Sequence, residues 1–467
     1  MKLRALANKI GNPGSYELTE ALFLRLLGLT YLCAFGSLCP QILGLSGSHG
    51  IAPAIHLLAA MRAQLGSRAF LYAPSLFWVH SSDSALTTFC LLGCVCGMLL
   101  LAGLLSRWMA AACFVLYLSI VAVGQPFTSF QWDALLLEAG FLALFAGAPW
   151  LVWGYRLLLF RLMFESGWVK LASGDPNWRN LHALRFHFMT QPLPNPIAYY
   201  VHRAPTWLLD SMTATSLAIE FLAPFLLFFP RHVRTVGVAA LIFLQVAILL
   251  TGNYAFFNLL TLALCLWGLD DITFTPLARL LRRRFPSTNV LKSKRVLSGM
   301  NGALALLGVL GLLQLFRQPL AFLEPLEIVN HYGLFAVMTT TRNEIVIEGS
   351  DDRTNWKEYS FRYKPGNLHR HVPFVAPHQP RLDWQMWFAA LGSYEGNTWV
   401  GSLIYRLLLG EPAVTALLDP PPFPKPPRYM RALIYEYDCT TPSERARTGA
   451  IWQRRLIGNW FGPVSLK

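Results

Sequence analysis

What constrains this chain most is a series of long apolar runs between residues 20 and 316, several of them almost free of charge. A helix rises about 1.5 Å per residue, so roughly 20 apolar residues cross the ~30 Å hydrocarbon layer of a membrane. Runs of that kind lie near residues 20–43, 86–105, 108–123, 133–148, 150–171, 213–229, 233–251, 254–269 and 298–316. Several are apolar on every face, and they are too numerous to be buried core helices of a soluble protein. Composition agrees: 14% of residues are charged, against about a quarter in soluble domains. The expected fold is a polytopic α-helical membrane protein with about nine transmembrane helices. The 133–148 and 150–171 pair, joined at Gly147-Ala148-Pro149-Trp150, reads either as two spans or as one long broken helix.

Short cytoplasmic loops gather Lys and Arg. Lys2, Arg4 and Lys9 precede the first run, Arg107 follows the second, and Arg231 and Arg234 follow the sixth. Arg279, Arg282, Arg283, Arg284, Lys292, Lys294 and Arg295 follow the eighth, whereas connections 124–132 and 252–253 hold no Lys or Arg. This pattern puts the N-terminus inside and the C-terminus outside. It divides the chain into a cytoplasmic segment 1–19, a transmembrane domain 20–318 with outward loops 44–85 and 172–212, and an extracytoplasmic domain 319–467. The net charge of +14 then reflects topology and attraction to anionic lipid; no nucleic-acid partner is expected. The polar N-terminal segment shows no small-residue cleavage site, so the first span is expected to serve as its own insertion signal.

Among the soluble parts, loop 44–85 carries His49, His56 and His80 and a short amphipathic helix around 51–65, and segment 172–212 is rich in Trp, His and Pro. The C-terminal domain reads as β-rich and soluble. Asn343–Gly349 alternates as a strand, 350–355 supplies a turn, Trp356–Tyr363 returns, and Arg428–Tyr437 is a third strand after the proline-rich linker Pro420–Pro427. Asp383–Leu391, short and aromatic, suits a helix at the membrane interface. Cys439 is the one cysteine of this domain, so no internal disulfide staples it. Cys94 and Cys96 lack metal-ligand spacing and read as small packing residues.

Ionisable residues inside spans need a partner or a watery cavity, because a mid-bilayer charge costs about 2.5–3.5 kcal/mol. Arg161 and Glu165 are four apart on one helix face. Glu138 has Arg156 or Arg161 within reach across the turn, Glu220 has no sequence-local partner, and Arg25 can snorkel. The set reads as a buried network that fixes packing, with a functional cavity as the other reading. His182 and His187, five apart, fall on different helix faces, and no carboxylate or cysteine completes a metal set. In Gln191–Pro196 the prolines Pro192, Pro194 and Pro196 fix an extended loop: either a rigid corner or a client- or ligand-contacting element. Pro377–Trp387 combines His378, Gln379, Arg381 and Asp383 with Trp384 and Trp387. No nucleophile motif accompanies it, so it reads as an interface docking the outer domain onto the membrane helices.

At these residues the chain resembles a known family. Phe164–Thr190 with its continuation to Pro196, and in the outer domain Tyr332–Phe335, Met338–Arg342, Glu348–Ser350, Tyr363–Gly366 and Pro377–Trp387, are similar to the lipase maturation factor family, in its bacterial branch. The resemblance implies a membrane-resident folding or assembly factor, without cofactor, whose partners are the bilayer and a secreted client such as a lipase. It implies residence in a bacterial inner membrane with the outer domain in the periplasm, or in the endoplasmic reticulum membrane with that domain in the lumen. A second, fainter resemblance links Gly167–Leu171, Asp175 and Trp178 to vitamin K-dependent gamma-carboxylases, and it implies Lys170 as an active-site base. Val169 stands where those enzymes have lysine.

Two functions follow: a non-enzymatic folding factor, which needs an exposed apolar or grooved outer surface, and an intramembrane enzyme acting on protein or lipid. The enzyme needs a pocket lined by Lys170, His182 or His187.

Overall fold

The computed structural model describes residues 16–274, 293–315 and 322–466; Lys2, Arg4, Lys9 and the basic stretch from Arg279 to Lys292 lie outside these. Each of the nine apolar runs is helical over most of its described length. The helices are α1 (Glu17–Leu38), α2 (Ala54–Leu65), α3 (Asp83–Ala102), α4 (Ser106–Val121), α5 (Gln131–Leu142), α6 (Leu151–Ala172), α7 (Ala183–Thr190), α8 (Thr206–Leu226), α9 (Arg231–Thr251), α10 (Phe257–Cys265) and α11 (Lys294–Leu315). Four of them, α1, α3, α9 and most of α11, are long and apolar enough to cross a membrane. The others are shorter, or, like α6 with Arg156, Arg161, Glu165 and Lys170, interrupt their apolar sequence with charge. The uncertain pair is two helices, α5 and α6, separated at Gly147, whose φ of 83° suits glycine. The helix expected at 51–65 is α2.

Because lipid tails are as apolar as leucine, helices in a membrane associate by close packing of small residues. Helices α1 and α3 touch backbone to backbone. A Cβ on Gly28 would sit 2.4 Å from the Leu101 amide nitrogen and 2.8 Å from the Gly97 carbonyl oxygen. Gly28→Val is therefore expected to cost about 1–3 kcal/mol, the usual penalty of overpacking. It should lower the thermal midpoint of the detergent-solubilised chain; an unchanged midpoint would mean the two helices part easily there.

Helix α1 fixes the two ends of the bundle. At its start, Leu18 and Thr19 donate backbone N–H groups to Asp271. At its far end, Gln41 donates to the Gln379 carbonyl of the C-terminal domain. That domain meets the same end as connections 124–132 and 252–253, while Arg234 pairs with Asp270 at the opposite one.

The C-terminal part holds an antiparallel four-stranded sheet in the order β2-β1-β3-β4, with β1 Arg342–Ser350, β2 Lys357–Tyr359, β3 Tyr429–Cys439 and β4 Trp452–Val464. The turn lies where expected: Asp352 Oδ1 accepts the N–H groups of Thr354 and Asn355, and Ile347 pairs with Tyr359. Two expectations need correction. The returning strand covers only 357–359, because the chain leaves the sheet for an isolated bridge between Phe361 and Leu418. The domain is also less β-rich than its sequence suggests. Helices α12 (Arg381–Ala390) and α13 (Trp399–Leu409) pack against the sheet, with Val400, Leu403, Ile404 and Leu407 of α13 buried, and the exposed α14 (Pro442–Thr448) lies in the connection from β3 to β4.

Candidate functional site

Pro373, Pro377 and Pro380 keep residues 371–380 out of helix and strand, with one turn in which the His378 N–H donates to the Val375 carbonyl, up to Arg381, where α12 starts. This segment runs over the helix ends and is bound to them step by step. The two Asn253 side-chain ends serve opposite needs: Nδ2 donates to the carbonyls of Leu193 and Pro373, and Oδ1 accepts from Val375 N–H at 2.8 Å. Ser37 Oγ lies 2.9 Å from His378 Nδ1 and accepts the Gln379 N–H. Gln41 Oε1 accepts the Arg381 N–H. The Gln379 side-chain amide itself is buried without a partner among the described residues.

Arg381 is 1% exposed and forms a bidentate pair with Asp133, at 2.8 Å to each oxygen, while also donating to Tyr117 and to the Phe127 carbonyl. Asp383 turns the other way and caps the N–H groups of Tyr363 and Lys364; burial pushes its carboxyl up to about 6, with those donors working against the shift. His378, Arg381 and Asp383 thus face three different partners and do not form a relay. Trp384 packs edge-on against Trp132 and Phe130, and Trp387 donates to the Thr190 carbonyl. Helix α12 is consequently enclosed on nearly every face, where the sequence suggested an interfacial helix; the buried charge pair draws it inward.

The proline loop is held from the other side. Arg342, fully buried on β1, donates to the carbonyls of Met189, Gln191 and Pro192 and to Glu344, whose second oxygen receives Lys364. Gln191, Pro192 and Pro194 are all buried, so in this arrangement they offer a client no surface. A third clamp joins the helices to the entry of the C-terminal domain. Glu138 accepts from Arg161, Asn330 N–H and Tyr332 OH, and Glu165 accepts the Tyr332 N–H. Arg161 and Glu165 also approach to 3.4 Å.

Lys170 and His187 meet at a separate place, a cavity of about 330 Å³ between α6, α8, α9 and segment 172–212. Glu220, without a partner in the sequence, finds Lys170 here: Nζ reaches both carboxylate oxygens at 2.5 and 2.6 Å, the geometry of a donor rather than a base. His182 lies outside the cavity wall, at the start of α7. His187 lies 3.2 Å from Tyr254 OH, which donates to Gln191. Burial, and secondarily the charge of Lys170, pushes the His187 imidazole down to about 3.

A folded-state value below the ordinary 6.5 means stability that is complete above that pH and is lost as pH falls through it. Between about pH 7.5 and 5.5 the wild type should lose about 1.4 kcal/mol through this group. In His187→Gln that slope should vanish from the thermal midpoints; identical slopes would remove His187 as its source.

Reasoning from the sequence did not single out Asp133, Ser37, Gln41, Asn253 or Glu344. An acidic residue opening an apolar run was the one available signal for Asp133, and the polar Asn253 in a two-residue connection the signal for the other hub.

A family model described as the lipase maturation factor transmembrane domain matches residues 18–276, and one for the lipase maturation factor C-terminal domain matches 328–462. Lipase maturation factor 1 of Bos taurus is 34% identical over 97% of this chain and 90% of its own length. Lipase maturation factor 1 of Homo sapiens is 33% identical over 98% and 89%. Lipase maturation factor 2 of Gallus gallus is 33% identical over 95% and 81%. No solved structure matches. With both halves matched in order, this integral membrane protein belongs to the lipase maturation factor family.

Proposed function

We propose that this chain is a membrane-resident maturation factor that helps a secreted lipase reach its folded or assembled form, without chemistry of its own. The observation that carries the reading is a likeness to lipase maturation factors that runs through both the helical part and the outer domain. In this reading nine helices span, the N-terminus is cytoplasmic, and the sheet domain faces the periplasm or the lumen. Exposed apolar side chains on that domain, among them Phe388, Leu391, Leu409, Leu456 and Ile457, supply the surface on which a partly folded client is held. The enzyme reading finds less to stand on, because Lys170 is committed to Glu220.

The test expresses the full chain with a secreted lipase in cells deleted for their own lipase maturation factor. Restored lipase activity per unit of secreted lipase supports the reading; normal membrane levels of this chain without any restoration would refute it. A reporter active only in the cytoplasm, fused after Lys467, should stay silent.

A further inference from the structure

We propose that the cavity between α6, α8 and α9 binds a neutral single-chain lipid, an acyl chain ending in hydroxyl or ester groups, which enters sideways from the bilayer. The walls are apolar: Met163, Ile219, Leu244, Ile248, Phe257 and Phe335 supply much of the lining. The volume of about 330 Å³ sits at the small end of ligand pockets: it takes the headgroup and the first part of one chain, whose remainder stays in the bilayer, and is too small for the paired tails of a phospholipid. The mouth opens between α8 and α9, where Phe243 is 62% exposed beside the accessible Ser211 and Thr215. The same helices expose Leu222, Phe225, Val236 and Leu250, a face that belongs in hydrocarbon. A ligand arriving there comes from lipid.

The polar end of the cavity selects the headgroup. Lys170 and Glu220 cancel each other's charge, so the site offers no net positive field to a carboxylate or phosphate. An anion placed beside Glu220 would pay for desolvation without compensation. What remains is hydrogen-bonding capacity. Ser166, Ser211, Thr215 and Ser216 spend their protons on helix carbonyls, leaving oxygen lone pairs as acceptors. Lys170 Nζ gives protons to both Glu220 oxygens and also lies 4.9 Å from the centre of the Trp178 ring, so it is engaged on both sides. Oxygen acceptors in a site without net charge suit a hydroxyl, which has a proton to give.

Full-length chain purified in detergent would be titrated with monooleoylglycerol and, separately, with oleate at a pH where oleate is ionised, and bound lipid counted by native mass spectrometry. One monooleoylglycerol per chain is expected, with oleate at least about tenfold weaker. Ser211→Trp and Thr215→Trp, both at the exposed mouth, should each weaken monooleoylglycerol at least about tenfold while leaving the lipid-free melting temperature in place. Oleate binding as tightly as monooleoylglycerol, no retention of monooleoylglycerol by the wild type, or retention that neither tryptophan alters would each overturn the proposal. The headgroup comparison uses wild-type chain alone, so it decides even if a variant misfolds. Failure here leaves the lipase reading untouched, since that reading is measured by secreted activity.

Discussion

Arg381→Met will cost the folded chain about 3–5 kcal/mol, because it leaves Asp133 buried with its charge uncompensated. Both members of this pair are 2% exposed or less, and the guanidinium makes four hydrogen bonds across the junction. Arg381→Lys should recover little, since an ammonium cannot reproduce the bidentate fork. Replacing both partners, as in Arg381→Met with Asp133→Leu, should restore most of the loss, since no orphan charge then remains. The measurement is a melting curve joined to limited proteolysis, with the C-terminal domain becoming cleavable first in the single variant. A single-variant cost below about 1 kcal/mol, typical of surface pairs, would show that the junction is held elsewhere.

Lys170→Met should carry a similar penalty of about 3–5 kcal/mol, by stranding Glu220 among apolar residues. Lys170→Arg should be well tolerated in both amount and lipase maturation. A guanidinium can span both Glu220 oxygens, and the adjoining cavity has room for its greater length. Arginine, with a pKa above about 12, cannot serve as a neutral base. Normal insertion of Lys170→Arg with lipase maturation abolished would therefore bring back a proton-transfer role for this lysine.

Much of the helical part was legible because hydrocarbon imposes a coarse requirement, length without charge, that a single sequence displays openly. Strands β1 and β3 were legible for a similar reason: Asn343–Gly349 and Arg428–Tyr437 place side chains that the sheet buries, as with Ile345, Ile347, Met430 and Ala432. Strand β4 was missed because it is an edge strand. Residues such as Arg455, Leu456 and Ile457 are exposed in succession, and Gly458, Gly462 and Pro463 interrupt any alternation. The junction was half legible. Arg381 stood out within an unusual aromatic run, but its partner Asp133 is 248 residues away, and nothing local specifies such a pairing. The same holds for Lys170 and Glu220, which are 50 residues apart. Ion pairs that close across a fold are set by topology, and only a pair four residues apart, such as Arg161 with Glu165, can be read from spacing.

The segment from Pro373 to Trp387 draws its hydrogen bonds from Ser37 on α1, Gln41 just after it, Tyr117 on α4, Asp133 on α5, Thr190 on α7 and Asn253 between α9 and α10. Those donors and acceptors come together only once helices made early in translation have been inserted and have found one another. The C-terminal domain, synthesised after them, then has its landing surface; before that moment Arg342 and Arg381 have no burial site that satisfies them. The chain thus carries its own order of biogenesis, in which a misassembled bundle withholds a finished C-terminal domain. A protein whose task is the quality of other proteins would on this account enter service only after its own membrane part had been assembled correctly.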